Sequence, residues 1–373
     1  MMAEKQIIFI SPFSSAAPSS IRMVELSKSL DDPILIFPAK DRYGESRIRG
    51  ALTIGYSKRN PLSYLLCAYN QIVAFKPKIV YFLKPNPYSF LPALAYKLRW
   101  GGKLIFDCDE WDPLTLKDNK AHWIKVFVSR ILSVLAIRYS DKIIVSNKNI
   151  LKLLPIEKRK NCEYIPNGVD TEKFKRNPKK SPAEFTVMYV GSLYKEEQVK
   201  PIMDAIPYLR SKIPSFKLVF VGPGNTSSLK KKANSKHVHF TGELTHEMIP
   251  EVLSEADVVL AVFAHLPSLI YASNIKVFEY MAAEIPIIAS NTGEISEILA
   301  HGDAGYILDF QSPHKIAEYI KSIHDHPDIA ENKASKARKL AEERYDWRIL
   351  SEKLRKSAEE LLEGPRPHIA ELD

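Results

Sequence analysis

Short apolar runs alternate with segments of helical periodicity along almost the whole chain, and this alternation is interrupted once. Within residues 1–168 the predicted strands lead into predicted helices. Residues 170–182 are polar, rich in lysine and contain two prolines, a composition typical of an interdomain linker. The alternation then restarts. Because strands that alternate with helices form parallel sheets covered on both faces, we expect an α/β fold with two doubly wound domains.

The predicted strands and domain limits follow from this alternation. Strands are expected at residues 7–10, 34–37, 79–82, 104–107, 143–145 and 162–165, and again at 186–190, 217–221, 238–240, 258–262, 286–290 and 306–308. The predicted organisation is a Rossmann-like domain over 1–168, a second over 169–345, and a segment 346–373 whose helix packs back on the first domain and ends in a tail. Ligands of such sheets bind at the carboxyl ends of the strands, so we expect the two sheets to face a central cleft.

Size and cysteine content exclude a small cross-linked protein. The chain has 373 residues, 45% of them hydrophobic, which is enough for two domains with separate cores. Cys67, Cys108 and Cys162 are odd in number and far apart, so neither a disulfide framework nor a metal site is expected. Residues 1–10 run into a predicted strand without the pattern of a secretory leader. We therefore expect a cytoplasmic protein.

The excess positive charge is confined to the first half of the chain. Residues 1–168 carry 26 Lys and Arg against 14 Asp and Glu, whereas residues 169–373 carry 27 against 30. An anionic partner is therefore expected for the first half, either a phosphorylated substrate or an anionic membrane surface. Nucleic acid is not expected, because the charges are dispersed and no RNA-binding aromatic motif is present.

The segment 123–138 is the predicted helix closest to a membrane sequence, although it is shorter than the roughly 18 apolar residues of a span. Lys125, Ser129 and Ser133 recur every four residues in it, which predicts a mostly buried helix with one polar stripe in solvent. The alternative is a helix that also touches a bilayer surface, which would place the protein peripherally at the inner face of a membrane.

The stretch 273–294 predicts a helix, a strand and the start of a second helix. Ser273 or Asn274 is expected to cap the first helix, whose Ile275, Phe278 and Met281 form an apolar stripe. The N-termini of the two helices, at residues 274–276 and 292–294, would each present main-chain amides. Bare helix N-termini attract phosphate.

Individual positions in this stretch allow a local explanation as well. Asn291 can cap the second helix with Glu294 at the reciprocal capping-box position, and Gly293 would leave room for a phosphate. Lys276 and Glu279 are three residues apart, which by itself predicts a surface ion pair. Glycines after two other strands, in 190–193 and 221–224, allow either close approach of a ligand or only a tight turn.

Taken together, these motifs resemble the retaining glycosyltransferases of family 4, which have the two-Rossmann GT-B fold. The matching segments, dense in the second domain and loose in the first, are 165–170 with Phe174, 189–193, 220–224, 240–242, 277–283, 286–290 and 302–305. The resemblance implies transfer of a hexosyl unit from a nucleoside-diphosphate sugar to a hydroxyl acceptor with retained anomeric configuration. It implies no covalent nucleophile, no metal ion, and no cofactor apart from the sugar nucleotide as donor substrate.

The resemblance also assigns donor contacts in the second domain. Glu279 would accept hydrogen bonds from the ribose, a task that suits a carboxylate with two oxygens. The other implied contacts are Gly191, Gly222, Asn274, Ile275 and Lys276 near the diphosphate, Thr241 and Gly242 at the base, and Asn291, Thr292, Gly293 and Glu294 at the sugar.

Three positions depart from the family pattern. Tyr271 stands where the first of two paired glutamates would be, and Ser192 and Glu197 stand where the diphosphate-binding arginine and lysine would be. Because cations stabilise charge on a leaving diphosphate, a substitute is expected among Lys195, Lys200 and Lys276. Lys276 is favoured, since it begins the helix whose amides face the phosphates.

The first domain is expected to bind the acceptor, a glycan or a lipid-linked molecule. Ser14 and Ser15 lie in a loop that replaces the glycine-rich loop of the family, and Arg22 lies in the helix behind it. In segment 107–112, Asp109 replaces the usual histidine, and Asp109 or Glu110 could receive the acceptor proton beside Trp111. Two alternatives stay open: a nucleotide-sugar epimerase of the same fold, and a non-catalytic sugar-nucleotide-binding subunit.

Overall fold

The structure is a computed structural model that describes residues 7–14, 17–38, 52–56, 61–176, 184–233, 236–263, 266–309 and 312–363. These residues form two compact units. The first contains the described residues up to Pro166, together with Tyr271–Ser273 and the residues from Trp347 onward. The second contains the described residues of Asn167–Ile270 and Asn274–Asp346.

A parallel sheet forms the centre of the first unit. Its strands are β1 Ile7–Ile10, β2 Ile34–Pro38, β3 Leu52–Tyr56, β4 Ile79–Leu83, β5 Lys103–Cys108, β6 Lys142–Val145 and β7 Cys162–Tyr164. Within the described residues these seven strands are ordered β3-β2-β1-β4-β5-β6-β7. The helices between them are α1 Pro18–Ser27, α2 Pro61–Phe75, α3 Pro87–Trp100, α4 Asp112–Asp118, α5 Trp123–Tyr139, α6 Lys148–Leu151 and α7 Ile156–Arg159.

A second parallel sheet forms the centre of the second unit. Its strands are β8 Phe185–Val190, β9 Phe216–Val221, β10 Val238–Gly242, β11 Val258–Ala261, β12 Ile287–Ser290 and β13 Tyr306–Leu308. Over the described ranges they are ordered β10-β9-β8-β11-β12-β13. The helices that follow are α8 Glu196–Lys212, α9 Ser227–Ala233, α10 Ile249–Leu253, α11 Ile275–Ala282, α12 Gly293–His301, α13 Pro313–Asp325, α14 Pro327–Leu340 and α15 Trp347–Glu363. A 3₁₀ segment occupies Pro267–Tyr271, and one π turn occupies Ala341–Tyr345.

Helices cover both faces of the first sheet, so its strands are apolar on both sides. Ile8 of β1 belongs to a core shared with α2, α3 and α5, in which Phe90 is buried. The neighbouring Phe9 points to the opposite core, which it shares with Met23 of α1 and Leu350 of α15. The C-terminal helix α15 is therefore part of the first unit and packs against α1.

The start of the predicted linker is an integral part of the second unit. Val169 and Phe174 are buried in its core, and Val169 pairs in parallel with Asp346. The Arg338 guanidinium donates to the carbonyl oxygens of Thr171 and Phe174 at 2.9 and 2.8 Å. The linker prediction is thus wrong for residues 170–176, because an apolar anchor lies among the lysines; residues 177–183 lie outside the described part of the chain.

Candidate functional site

Three turns meet at the carboxyl end of the second sheet, where the donor site is expected. The amide of Gly191, after β8, donates to the carbonyl of Val221 at 2.8 Å, and the amide of Gly222, after β9, donates to that of Gly242 at 3.0 Å. Gly222 has a φ of +143°, and a Cβ there would lie 2.1 Å from the carbonyl oxygen of Gly191. Glycine at 222 is therefore required by the neighbouring turn of the protein itself.

Lys276 places a cation beside these turns. It lies in the first turn of α11, and its Nζ is 4.2 Å from the ring centre of Tyr189 and 4.6 Å from that of Phe263. A Cβ on Gly191 would lie 3.0 Å from the same Nζ. Within the described part of the chain no carboxylate forms an ion pair with Lys276. The helix starts at Ile275 with Asn274 in the N-cap position, but the Asn274 side chain makes no capping hydrogen bond.

Glu279 is buried, and its partner differs from the predicted one. Only 7% of its side chain is exposed, and its Oε1 lies 2.6 Å from Nε2 of His246. His246 follows β10 in the turn where base contacts are expected. Its other ring nitrogen, Nδ1, lies 3.4 Å from Nζ of Lys173. The predicted surface pair between Lys276 and Glu279 is therefore wrong, because each side chain has a different set of partners from elsewhere in the unit.

The start of α12 also differs from the prediction. Thr292, not Asn291, is the N-cap residue, and it makes no side-chain capping bond. The Asn291 amide instead donates to Oδ1 of Asp309 at 3.0 Å. Gly293 has a φ of +64°, and a Cβ there would lie 2.9 Å from two carbonyl oxygens of the 3₁₀ segment. Gly293 thus leaves room for main-chain atoms of the protein, and not for a phosphate alone. Glu294, the next residue, is buried, with 3% of its surface exposed.

The remaining predicted donor contacts lie nearer the surface. Ser192 and Thr241 are exposed, and the Thr241 hydroxyl donates to the carbonyl of Gly242 at 3.0 Å. Lys195 occupies the N-cap position of α8. Lys200 is 68% exposed in α8 and forms an ion pair with Asp204, so it is a poorer substitute for the missing cations than Lys276.

In the first unit, three carboxylates surround one buried lysine. Nζ of Lys84 lies 3.2 Å from Oδ1 of Asp109 and 3.3 Å from Oδ1 of Asp112, and it also donates to Glu110. Lys84 follows β4, and the acids follow the adjacent strand β5. Lys84 was not among the predicted site residues, although residues that follow adjacent parallel strands meet at one edge of a sheet.

The cluster has more acids than one lysine can neutralise. Burial, together with the charges of Glu110 and Asp109, raises the pKa of Asp112 to about 7, although Lys84 opposes the change. Its Oδ2 is buried without a hydrogen-bond partner among the described residues. Burial lowers the pKa of Lys84, but the three carboxylates outweigh it and raise that pKa well above its usual value. Burial beside two other carboxylates thus makes Asp112 a weaker acid than a solvent-exposed aspartate.

Arg22 is a structural residue. Its side chain is fully buried, and its Nε lies 3.0 Å from Oδ2 of Asp107. Its terminal nitrogens donate to the carbonyl oxygens of Pro166 and Ile165, each at 2.7 Å. Burial alone would lower the pKa of Arg22, but Asp107 outweighs it and raises the pKa. The expectation that Arg22 binds the acceptor is therefore wrong, since the guanidinium is enclosed by the protein.

The other predicted acceptor residues are placed as follows. Ser14 is half-buried, and its carbonyl accepts from the amide of Ala17 at 3.1 Å. Ser15 lies outside the described residues. Trp111 is half-buried against the core of the first unit, and so is Tyr271, the residue at the family's glutamate position. A tyrosine there contributes apolar packing where the resemblance implies a carboxylate.

Helix α5 is oriented opposite to the prediction. Ser129 and Ser133, expected in solvent, are buried, and the Ser133 hydroxyl donates to the carbonyl of Ser129 at 2.8 Å. The exposed face is instead apolar and consists of Trp123, Ile124, Phe127, Val128, Ile131 and Val134. Lys125, Arg130 and Arg138 are exposed on the same helix. No helix in the described ranges is long and apolar enough to cross a membrane.

The second unit is similar in sequence to proteins of a known family. The family model of glycosyl transferases group 1 matches residues 170–342. A glycogen synthase of Mycobacterium tuberculosis is 28% identical over 195 residues, which cover 50% of this chain and 45% of that protein. The GDP-mannose-dependent alpha-(1-6)-phosphatidylinositol monomannoside mannosyltransferase of the same organism is 28% identical over 214 residues, 52% of this chain and 54% of that protein. The chain spans about half the length of these curated relatives.

Comparison of folds extends over both units. The Anabaena protein HepE, solved in complex with UDP, matches with a TM-score of 0.76 and 15% identity, covering 95% of this chain and 99% of that one. Sucrose-phosphate synthase from Thermosynechococcus elongatus matches with a TM-score of 0.77 and 16% identity, covering 96% and 100%. Residues 170–342 of the second unit are thus similar to the glycosyl transferases group 1 family, and the fold of the chain is the GT-B fold of these solved structures.

Proposed function

We propose that the protein is a retaining, metal-independent glycosyltransferase that moves a hexosyl unit from a nucleoside-diphosphate sugar to a hydroxyl group of a glycan or lipid-linked acceptor. The observation that carries this proposal is the environment of Lys276. Its ammonium lies over two aromatic rings and, among the described residues, forms no ion pair with a carboxylate. A cation that is not neutralised, at the start of a helix and beside a glycine turn, suits a diphosphate.

The proposal gives a role to Lys276, to the first amides of α11 and to Glu279. Lys276 and the first amides of α11 stabilise the charge that develops on the leaving diphosphate. Glu279 accepts a hydrogen bond from a ribose hydroxyl. The bond from the anomeric carbon to the diphosphate breaks, the acceptor oxygen bonds to that carbon on the same face, and the acceptor proton passes to a phosphate oxygen. Configuration is then retained without a covalent enzyme intermediate.

The carboxylates of the first unit are proposed to act on the acceptor. Asp109, Glu110 and Asp112 all contact Lys84, which partly neutralises their charge. Asp112, whose pKa is raised to about 7, can donate or accept a hydrogen bond near neutral pH. Each carboxylate can also accept a hydrogen bond from a sugar hydroxyl, which would orient the acceptor.

A ligand panel tests the donor part of the proposal. Thermal unfolding would be followed with UDP, GDP and ADP sugars, and a ligand at one hundred times its dissociation constant adds about 2.7 kcal/mol of stability. We expect one base to stabilise the protein and Glu279→Ala to reduce that effect. Release of nucleoside diphosphate only when an acceptor is added supports transfer. Interconversion of the donor sugar without acceptor indicates an epimerase, and binding without either reaction indicates a non-catalytic subunit.

We also infer that α5 holds the protein at the anionic cytoplasmic face of a membrane, where a lipid-linked acceptor would be met. Three of its apolar side chains are more than half exposed: Trp123 at 69%, Phe127 at 57% and Val134 at 58%. Basic side chains on the same helix, and the excess of Lys and Arg in residues 1–168, complement anionic lipid headgroups.

Vesicle flotation tests this inference. The protein should bind vesicles of phosphatidylcholine with phosphatidylglycerol more strongly than pure phosphatidylcholine, and added salt should weaken the binding. Phe127→Glu with Ile131→Glu should abolish it, because both changes place charge in the exposed apolar face. Ile329→Glu, an equally exposed site of the second unit at 56%, is the matched control. Equal binding to neutral and anionic vesicles, or an unaffected double variant, would overturn the inference.

A further inference from the structure

Three side chains form a connected row behind the proposed ribose contact. Lys173 Nζ lies 3.4 Å from Nδ1 of His246, and Nε2 of the same ring lies 2.6 Å from Oε1 of Glu279. The three residues come from a turn in the segment between β7 and β8, the turn after β10, and helix α11. The imidazole is 30% exposed on its side chain, whereas the Glu279 carboxylate is 7% exposed. His246 is therefore in a position to set the orientation of a nearly buried carboxylate.

The two contacts of the imidazole determine which nitrogen carries a proton. A lysine ammonium only donates, so Nδ1 must accept in its contact with Lys173. The proton of the neutral ring is then on Nε2, and Nε2 donates to Oε1 of Glu279. This donation occupies Oε1 and leaves Oε2 as the oxygen that can face a hydroxyl ligand. Truncating His246 would remove the bond that holds the carboxylate in this orientation.

The Lys173 end of the row is held by a fixed turn. Oδ1 of Asp170 accepts from the amides of Glu172 and Lys173 at 3.1 and 3.0 Å. The buried Phe174 packs its ring 5.4 Å from that of His246. The Asn-Gly-Val-Asp segment that ends at Asp170 thus holds Lys173 in its contact with His246.

We propose that His246 is a positioning residue, which fixes Glu279 for the ribose and couples the base-binding turn to the ribose contact. The inference rests on the proposed function, since it assumes that Glu279 meets the ribose. Its consequence is specific. Loss of His246 should weaken the binding of a nucleotide only through its ribose hydroxyls. Removal of a residue that orients a ligating side chain typically lowers affinity by about tenfold or more.

The experiment compares protein variants in their binding of two nucleotides that differ only in the ribose hydroxyls. Dissociation constants would be measured by titration calorimetry for whichever of UDP, GDP and ADP binds most tightly, and for its 2′,3′-dideoxy analogue. The proteins are wild type, His246→Ala, His246→Gln, Glu279→Ala and the double alanine variant. His314→Ala, an exposed histidine of α13 at 52% side-chain exposure, is the matched control. Unaltered affinity for the dideoxy analogue checks that each variant is folded.

We expect wild type to prefer the ribonucleotide, and His246→Ala to lose about tenfold of that preference while the dideoxy analogue binds as before. His246→Gln should recover part of the loss, because its amide can donate to Glu279. The double variant should match Glu279→Ala alone, which shows that His246 acts through Glu279. If Glu279→Ala removes the preference but His246→Ala retains it, the positioning role is overturned. If Glu279→Ala itself retains the preference, the proposed donor site is overturned instead.

Discussion

Replacement of Lys276 by alanine is the most direct test of the proposed chemistry. The ammonium lies 4.2 Å and 4.6 Å from two ring centres and, in the described part of the chain, forms no ion pair with an acid. Its charge is therefore available to a ligand. At an effective dielectric constant of about 20, two unit charges at about 4 Å interact by roughly 4 kcal/mol. Lys276 is partly exposed, so solvent reduces this value.

Loss of a single charge-stabilising group in an active site typically slows catalysis by about 100-fold to 1,000-fold, or roughly 3–4 kcal/mol. We expect Lys276→Ala to lower kcat/KM by about this factor, mainly through kcat, because charge on the diphosphate increases as the bond to the sugar breaks. Folding should be preserved, since alanine is the strongest helix former.

The assay is acceptor-dependent release of nucleoside diphosphate at saturating and limiting donor. Lys276→Arg should recover part of the activity because it retains the charge. Lys321→Ala, in which the lost lysine pairs with Asp325 on the surface of α13, is the matched control. A kcat/KM within threefold of wild type in Lys276→Ala would refute the reasoning, and a change in KM alone would limit Lys276 to donor binding.

Three further predictions concern stability. Because folding raises the pKa of Asp112 from 3.8 to about 7, the folded state takes up a proton that the unfolded state lacks between these values, so stability falls as pH rises from about 4 to about 7. Asp112→Asn should remove about 2–4 kcal/mol of this loss, measured as the difference in the free energy of unfolding between pH 4.5 and 7.5 in denaturant titrations. The same pH dependence of stability in both proteins would contradict this prediction. Arg22→Ala should cost about 3–5 kcal/mol, because it leaves the Asp107 carboxylate buried without its cation, and a melting temperature near that of wild type would count against this. Gly222→Ala should cost about 1–3 kcal/mol and weaken nucleotide binding, since its Cβ would meet the carbonyl of Gly191 at 2.1 Å; unchanged unfolding and binding would show that the turns can separate freely.

The strands were predictable because burial on both faces leaves little choice of residue. Each predicted strand corresponds to a strand of the structure. Strand β3 was missed because it contains Gly55 and lies at the edge of the sheet, where the sequence is less constrained. Helix α4 was missed because it has only seven residues and begins with Asp112 and Pro113, a pattern that equally suits a turn.

Side-chain orientation was less predictable where small polar residues can hydrogen-bond to the main chain of their own helix. Lys125, Ser129 and Ser133 lie on one side of α5, and their spacing suggested a polar stripe in solvent. A serine in a helix can donate to the carbonyl four residues earlier, as Ser133 does, and can then be buried at little cost. The bulky apolar residues consequently occupy the outer face, an arrangement that periodicity cannot distinguish from its inverse.

The partners of the site residues could not be derived from local spacing, and the two cases differ in an instructive way. His246 reaches Glu279 across 33 positions, through a turn whose path no sequence pattern fixes. Lys84 and the acids of 109–112 instead follow paired strands, with Leu83 beside Asp107 in register. Once the strand order is assumed, that juxtaposition follows from the topology alone. A charged residue that follows one parallel strand lies beside the residues that follow the neighbouring strands, and the pairing of β4 with β5 therefore predicts the cluster of Lys84 with the acids of 109–112.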